Sequence, residues 1–200
     1  MIVIIDYGVG NILNVKNGFE RIGLKPILTD DPVLILQADL AILPGVGAFN
    51  AAMHQLKSRG LDEVIIQRAN SGKPIVGICL GMQLLFETSY ENEETKGLGL
   101  LKGIIVPFKT RLKVPHMGWN KLFHQKNDLI NQKLPSDPFV YFVHSYYLKN
   151  FDETDLVSYT EYDVKVPAIV RKHNIVGMQF HPEKSGEIGQ QLLKNLKELI

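Results

Sequence analysis

The alternation of short apolar runs with amphipathic stretches in the first half of the chain is the feature that most restricts its fold. Between the apolar runs, hydrophobic residues recur at helical spacing, as at Ile12, Val15, Phe19 and Ile22. Strands separated by helices of this length require right-handed crossovers, so this half predicts a parallel sheet. The predicted buried strands are Ile2–Ile5, 25–29, Leu40–Leu43 and Ile75–Ile78.

The second half of the chain follows a different pattern. Residues 172–174 (Lys-His-Asn) are typical of a hairpin turn, so part of this region is predicted to be antiparallel. A final helix is predicted after Ser185, which is a good N-cap. No repeat, linker or low-complexity segment is present, so residues 1–200 are predicted to form one α/β domain. The predicted strands here are 104–108, 114–123, 139–147, 156–160, 168–173 and 175–180.

Composition excludes several classes of function. The 200-residue chain has 22 Lys and Arg against 21 Asp and Glu, which offers no electrostatic basis for binding nucleic acid or an anionic membrane surface. A single cysteine excludes an internal disulfide and suits a reducing compartment. The N-terminal segment lacks the basic region of a signal peptide, and no apolar run approaches the roughly 18 residues of a membrane span. We therefore expect a soluble cytoplasmic protein.

The strongest local signal for chemistry is the segment 77–81, Gly-Ile-Cys-Leu-Gly. It follows the apolar run Ile75–Ile78 and opens a helical stretch predicted to reach Glu87, as in a nucleophile elbow with cysteine in place of serine. A sharp strand-to-helix turn exposes the nucleophile above the sheet, and the helix N-terminus favours the thiolate. A lone cysteine is most often an inert core residue. The paired glycines instead favour Cys79 as a nucleophile, with the Leu80 amide as an oxyanion donor.

A thiolate nucleophile needs a proton carrier and a group that orients it. His181 ends a predicted strand, and Pro182 favours an extended backbone for it. Since residues two apart on an extended segment project to one side, Glu183 is predicted to bind one imidazole nitrogen while the other faces Cys79. An isolated His-Pro-Glu is more often a solvated turn. No third ligand lies at metal spacing, so no metal is expected.

The Pro-Gly-Val-Gly segment 44–47 follows the strand Leu40–Leu43, at the carboxyl edge where open α/β sheets bind ligands. Alone it would be an ordinary strand-to-helix turn. Combined with the elbow, the amides of Gly45, Val46 and Gly47 become candidates for the second half of an oxyanion hole.

In this order, the segments 44–47, 77–83 (Gly-Ile-Cys-Leu-Gly-Met-Gln) and 180–183 (Phe-His-Pro-Glu) resemble the signature of class I, triad-type glutamine amidotransferases. The resemblance implies a flavodoxin-like open, mostly parallel sheet with helices on both faces, and some antiparallel strands in the C-terminal half. It implies that Cys79 attacks L-glutamine with the help of His181 and Glu183, and that no cofactor is needed.

The same resemblance implies the residues that bind substrate. Gln83 would contact the glutamine, and the backbone of His144, Ser145 and Tyr146 would hold its α-amino and carboxylate groups.

Longer segments resemble one subfamily, the glutaminase subunits of imidazole glycerol phosphate synthase: 5–11, 115–120 (Pro-His-Met-Gly-Trp-Asn), 141–146 and 181–185. This implies a heterodimer with a (β/α)₈-barrel cyclase that receives ammonia in histidine biosynthesis. The contact residues implied are Asn11, Met117, Trp119 and Tyr141. The subfamily usually has Leu-Arg-Ser after the asparagine, whereas this chain has Ile-Leu-Asn at 12–14.

Two alternatives remain at this point. The same chemistry could serve another synthetase, such as a surface-sugar amidotransferase, although the Pro-His-Met-Gly-Trp-Asn run disfavours this. A non-catalytic binding module on the same fold is the other, but it would not need Cys79, His181 and Glu183 together.

Overall fold

The computed structural model describes residues 1–200, which form one large sheet and two smaller ones. The strands in chain order are β1 (Ile2–Ile5), β2 (Ile27–Thr29), β3 (Leu40–Leu43), β4 (Ile75–Ile78), β5 (Phe86–Ser89), β6 (Thr95–Lys96), β7 (Leu101–Pro107), β8 (His116–Lys121), β9 (Phe123–His124), β10 (Phe139–His144), β11 (Tyr146–Lys149), β12 (Leu156–Glu161), β13 (Lys165–Lys172) and β14 (Ile175–Met178).

The helices are α1 (Ile12–Arg21), α2 (Pro32–Gln37), α3 (Phe49–Ser58), α4 (Leu61–Asn70), α5 (Leu80–Leu84) and α6 (Gly186–Asn195). Short 3₁₀ turns lie at Leu129–Asn131, Glu153–Asp155, Pro182–Lys184 and Leu196–Leu199. No helix of the structure combines the length and apolar character that crossing a membrane would require.

The large sheet has the strand order β2-β1-β3-β4-β14-β13-β12-β9. The first five of these strands are parallel, and β13, β12 and β9 extend the sheet in antiparallel fashion. The parallel part has the 2-1-3-4-5 order of flavodoxin-like folds. The predicted fold class is therefore confirmed, including the antiparallel strands in the C-terminal half.

Helices cover both faces of the parallel strands, because successive side chains on a strand point to opposite faces. On β1, Val3 and Ile5 belong to a core shared with α2, α3 and α4. Ile2 and Ile4 belong to a second core, shared with α1 and α6. The strands β1, β3 and β4 are buried along their whole length, which explains why their sequences are continuous apolar runs.

The second half departs from the sequence prediction in several places. The predicted strand 139–147 is broken at Ser145 into β10, which pairs with β8, and β11, which pairs with β7. The helix predicted to run from Leu80 to Glu87 ends at Leu84, because β5 begins two residues later. The tract 91–96 was predicted as an exposed loop, but Glu91 is half-buried and β6 ends the tract.

Candidate active site

Cys79 is the first residue after β4 and lies directly before α5. Its backbone has φ 55° and ψ −114°, a region that a residue with a side chain rarely adopts. Such a conformation costs roughly 1–3 kcal/mol and persists only where the surroundings enforce it. The predicted nucleophile elbow is therefore present as a strained turn, and the thiol is a free cysteine, 7% exposed.

Glycines flank this turn, and at both positions the neighbouring backbone leaves no room for a side chain. A Cβ on Gly81 would lie 1.9 Å from the carbonyl oxygen of Leu43, and one on Gly77 would lie 2.5 Å from the carbonyl oxygen of Gly81. The elbow thus packs against the end of β3 and against its own first helical turn. Glycine at both positions is a steric requirement of this approach.

Cys79 opens into a cavity of about 400 Å³ that gathers most of the predicted site residues. The cavity lies at the carboxyl ends of the parallel strands, as expected for this fold. Gly45 and Glu183 do not line it; they line a small neighbouring pocket that shares Val46 and His181 with the cavity. The predicted residues that do line it are Val46, Gly47, Cys79, Leu80, Gln83, His144, Ser145, Tyr146 and His181.

His181 and Glu183 form a buried pair just after β14, the strand that ends at Met178 and pairs with β4. Nδ1 of His181 lies 2.8 Å from Oε1 of Glu183, and the two residues are 3% and 8% exposed. His181 is extended, with φ −103° and ψ 94°, as predicted from the proline that follows it. Glu183 reaches the ring from a 3₁₀ turn, so the extended geometry assumed from the sequence applies to the histidine alone.

The electrostatics of the pair favour a charged imidazole. Burial alone would lower the pKa of His181, but the hydrogen bonds and opposite charges of Cys79 and Glu183 outweigh it and raise the pKa from 6.5 to about 10. An imidazolium at this position can pair with a thiolate on one side and a carboxylate on the other. This is the charge distribution that an activated cysteine requires.

Backbone amides suited to an oxyanion lie beside the thiol. The N–H groups of Leu80 and Gly81, and those of residues 45–47, donate to no acceptor in the protein. The two segments are in contact, since a Cβ on Gly45 would lie 2.9 Å from the nitrogen of Gly81. Both parts of the predicted oxyanion hole are therefore adjacent.

Tyr7 holds the segment 44–47 in place, a role that no sequence pattern indicated. Its hydroxyl donates a 2.7 Å hydrogen bond to the carbonyl oxygen of Pro44 and lies 2.8 Å from where a Cβ on Gly45 would stand. Burial first, and then the charge of Cys79, raise the pKa of Tyr7, so the phenol stays protonated and remains a donor.

Gln83 supports the wall of the cavity. Its amide nitrogen donates to the carbonyl oxygen of Tyr146 at 3.1 Å and to Oε1 of Gln179 at 3.0 Å. Both hydrogens of this amide are therefore used within the protein, and its oxygen remains for a ligand. Gln179 was missed from the sequence, although it directly precedes the Phe-His-Pro-Glu segment.

The architecture and these residues can be compared with known proteins. The model of the glutamine amidotransferase class-I family matches residues 3–198. This chain belongs to the class-I glutamine amidotransferase family.

Relatives within this glutamine amidotransferase family match over the full length. The chain is 52% identical to the imidazole glycerol phosphate synthase subunit HisH of Oceanobacillus iheyensis, with all of both chains covered. It is 53% identical to the subunit HisH of Lactococcus lactis, covering 100% of this chain and 98% of the relative. The subunit HisH of Carboxydothermus hydrogenoformans is 50% identical, again with both chains fully covered.

Solved structures of more distant amidotransferases share the fold. A crystal structure of a glutamine amidotransferase, 17% identical, superposes with a TM-score of 0.79 and covers 100% of this chain and 98% of that one. The structure of PurLQS from Thermotoga maritima, 22% identical, gives a TM-score of 0.76 over 98% and 97% of the two chains.

In this glutamine amidotransferase, three of the four predicted contact residues form one patch. Trp119 and Tyr141 are paired across β8 and β10, with ring centroids 6.0 Å apart. Met117 and Trp119 are 58% and 55% exposed, whereas Tyr141 is half-buried. Asn11 is exposed at the N-terminus of α1, where it lines a small pocket together with His181 and Glu183.

Glu91 is a further lining residue of the amidotransferase cavity that the sequence did not indicate. Its Oε2 accepts a 2.8 Å hydrogen bond from the backbone N–H of Phe49, at the start of α3. The carboxylate satisfies a helix N-terminus that has no side-chain cap of its own.

Proposed function

We propose that this chain hydrolyses L-glutamine to glutamate and ammonia through Cys79, His181 and Glu183. The ammonia passes to a cyclase partner, so that the two chains act as imidazole glycerol phosphate synthase in histidine biosynthesis. The observation that carries the proposal is the buried 2.8 Å contact between Glu183 and His181, since His181 lines the cavity that holds the strained Cys79. Relatives about half identical over their whole length bear the name of this synthase's HisH subunit.

The first half of the reaction forms a thioester. The Cys79 thiolate attacks the side-chain carboxamide carbon, and the oxygen becomes an oxyanion facing the amides of Leu80 and of segment 45–47. The His181 imidazolium then gives its proton to the leaving nitrogen. Ammonia departs as the C–N bond breaks, and a γ-glutamyl thioester remains on the sulfur.

The second half releases glutamate. Neutral His181 takes a proton from water, and the resulting hydroxide attacks the thioester carbon. The C–S bond breaks and the thiolate re-forms beside the imidazolium. The Glu183 side chain accepts the hydrogen bond from Nδ1 throughout, which keeps the ring oriented and stabilises its charge.

Glutamine would be bound by the segment that follows Val143, whose carbonyl oxygen lies 3.9 Å from Sγ of Cys79. Ser145 and Tyr146 would hold the α-amino and carboxylate groups through their backbone, beside Gln83 and His144. Because Gln83 also donates to the Tyr146 carbonyl, it would fix the segment and contact the substrate at once.

The cyclase would dock on the patch of Met117, Trp119 and Tyr141, extended to Asn11. Large exposed apolar side chains grouped in this way are typical of protein interfaces. The pair would be a cytoplasmic heterodimer, and residues 1–200 would act as one amidotransferase domain.

Three measurements test the proposal. A glutamine analogue with an electrophilic carbon should add its mass, less that of any leaving group, to wild-type protein and not to Cys79→Ala. Ammonia release should rise when the cyclase and its ligand are added, and Trp119, the only tryptophan, should change its emission. Labelling of Cys79→Ala would refute the nucleophile, and unchanged Trp119 emission in the complex would refute the docking patch.

A further inference from the structure

His116 and His144 are two buried histidines in direct contact, and the proposed reaction moves no proton through either ring. His144 lines the cavity, and His116 lies behind it. Nδ1 of His116 lies 2.9 Å from Nε2 of His144. The His116 ring is held between Phe142 and Tyr162, stacked at centroid distances of 4.8 and 4.0 Å. Packing on both faces fixes the plane of the ring, and its nitrogens face His144 on one side and Asn120 on the other.

The outer nitrogen of each ring also has a partner. Nδ1 of His144 lies 2.8 Å from the carbonyl oxygen of Tyr146, which can only accept, so this nitrogen carries a proton. Nε2 of His116 lies 2.9 Å from Oδ1 of Asn120. The four groups form a continuous chain from β8 to the segment that lines the cavity.

The protons along this chain can be counted. If Oδ1 of Asn120 accepts from His116, the two neutral rings must face each other with unprotonated nitrogens at 2.9 Å, which is repulsive. An added proton would repair the contact only by creating a buried imidazolium. Burial lowers the pKa of His116 and brings that of His144 to about 3, and the neighbouring His181 charge opposes a second cation.

The conflict disappears when the Asn120 amide is turned by 180°, because an amide nitrogen can then donate to Nε2 of His116. His116 donates in turn from Nδ1 to Nε2 of His144, and His144 donates from Nδ1 to Tyr146. Every link then has one donor and one acceptor, and both rings are neutral. The chain therefore runs in one direction, from Asn120 to the Tyr146 carbonyl.

We propose that Asn120, His116 and His144 form a one-way relay of hydrogen bonds that positions the Tyr146 carbonyl and thereby shapes the glutamine-binding wall of the cavity. The carbonyl receives one donor from the relay and a second from Gln83. Two donors from different elements prevent the peptide from rotating. His116 and Asn120 are thus positioning residues, and neither lines the cavity.

The direct test is the protonation of the two rings in the full-length wild-type chain. Long-range ¹⁵N–¹H correlation spectra at neutral pH, without substrate, should show both histidines neutral with the proton on Nδ1. A proton on Nε2 of His116, or an imidazolium on either ring, would overturn the relay. This measurement does not depend on the proposed glutaminase activity.

A kinetic test, which does rest on the proposed function, uses Asn120→Asp in the full chain with its cyclase. A carboxylate cannot donate, so the relay is broken at its first link. We expect the KM for glutamine to rise about 3- to 10-fold, the loss expected for one or two hydrogen bonds, with kcat within about 3-fold. The matched control is Asn127→Asp, the same change at an exposed residue without side-chain hydrogen bonds.

The two tests separate the possible failures. If wild-type protein releases no ammonia from glutamine, the proposed function is wrong while the ring protonation still decides the relay. If the wild type is active and Asn120→Asp has the same KM as Asn127→Asp, the relay does not position the substrate site. A fall in kcat alone would also overturn it, because that pattern indicates damage to the reacting groups.

Discussion

Oε2 of Glu183 is buried and has no hydrogen-bond partner, while Oε1 lies 2.8 Å from Nδ1 of His181. The carboxylate therefore depends on one histidine for its compensation. Burying a charge away from water costs free energy, and here only one partner, the His181 ring, offsets that cost. This arrangement makes Glu183 an electrostatic partner of one ring nitrogen.

Replacing the carboxylate by an amide tests this partnership. Glu183→Gln keeps the shape but removes the charge that stabilises the imidazolium, so kcat should fall by about 10- to 10⁴-fold. Steady-state ammonia release in the complex measures the effect. Glu187→Gln, at an exposed position on the adjacent helix, is the matched control. A wild-type rate for Glu183→Gln would reduce the site to a Cys–His dyad.

Removing the histidine should destabilise the protein through the carboxylate it leaves behind. His181→Ala leaves the Glu183 charge buried and unpaired, at an expected cost of about 3–5 kcal/mol. The double variant His181→Ala/Glu183→Gln should recover a large part of this loss. Urea unfolding of the four proteins gives the coupling free energy. Additive losses would contradict a shared charge pair.

Stability should also depend on pH through His181. Its folded-state pKa of about 10 is above the 6.5 of an unperturbed histidine, so the folded protein holds the proton more tightly. The stabilisation is complete below pH 6.5 and is lost as the pH rises toward 10. The fall in unfolding free energy across this window should be smaller in His181→Gln. Equal slopes for the two proteins would argue against the raised pKa.

The strain at Cys79 predicts an unusual order of stability. Glycine can adopt φ 55° and ψ −114° without a steric penalty, whereas alanine cannot. Cys79→Gly should therefore be more stable than Cys79→Ala by about 1 kcal/mol, the reverse of the usual order in regular structure. Both should lack glutaminase activity. If the alanine variant is the more stable one in thermal unfolding, the turn is not strained.

Gly81 and Gly60 provide a paired test of close packing. Gly81→Ala places a methyl group 1.9 Å from the carbonyl oxygen of Leu43, so the elbow must move. We expect a loss of stability above about 3 kcal/mol together with loss of activity. Gly60→Ala meets no neighbour and adds only the left-handed backbone penalty, about 1–2 kcal/mol. Similar losses in denaturant unfolding would show that the elbow can relax.

Tyr7→Phe should weaken the segment 45–47 without removing a reacting group. The lost hydroxyl leaves the Pro44 carbonyl without its donor, at about 1–3 kcal/mol. We expect kcat to fall with little change in KM, since the amides of this segment act on the oxyanion in the transition state. Tyr90→Phe, at an exposed tyrosine, should leave both constants unchanged.

The sequence predicted those parts of the molecule that depend on local pattern. The bounds of β1, β3 and β4 were predicted to the residue, because each is a fully buried run of four apolar residues. The elbow at Cys79 followed from its glycines and from the change of period on either side.

Contacts between residues far apart in the sequence could not be predicted from such local patterns. Tyr7 forms a hydrogen bond with Pro44, and His116 with His144, only because the folded chain brings these residues together. The break at Ser145 also depends on tertiary pairing, since β10 and β11 join different partners. The contact of Glu183 with the His181 ring was predicted correctly, but from an extended backbone for both residues. In the structure, a 3₁₀ turn brings Glu183 to the ring.

The pairing of β4 with β14 has a further consequence. Ile78 is in register with Met178, and the backbone N–H of Cys79 donates to the Met178 carbonyl at 2.7 Å. The alignment of Cys79, the proposed nucleophile, with His181, the proposed base, therefore depends on the backbone hydrogen bonds between these two strands. Lengthening a surface connection leaves that alignment intact, whereas one residue inserted into either strand would displace it by about 3.3 Å. Insertions elsewhere in the chain should therefore be tolerated, whereas the eight residues of these two strands, Ile75–Ile78 and Ile175–Met178, must keep their register.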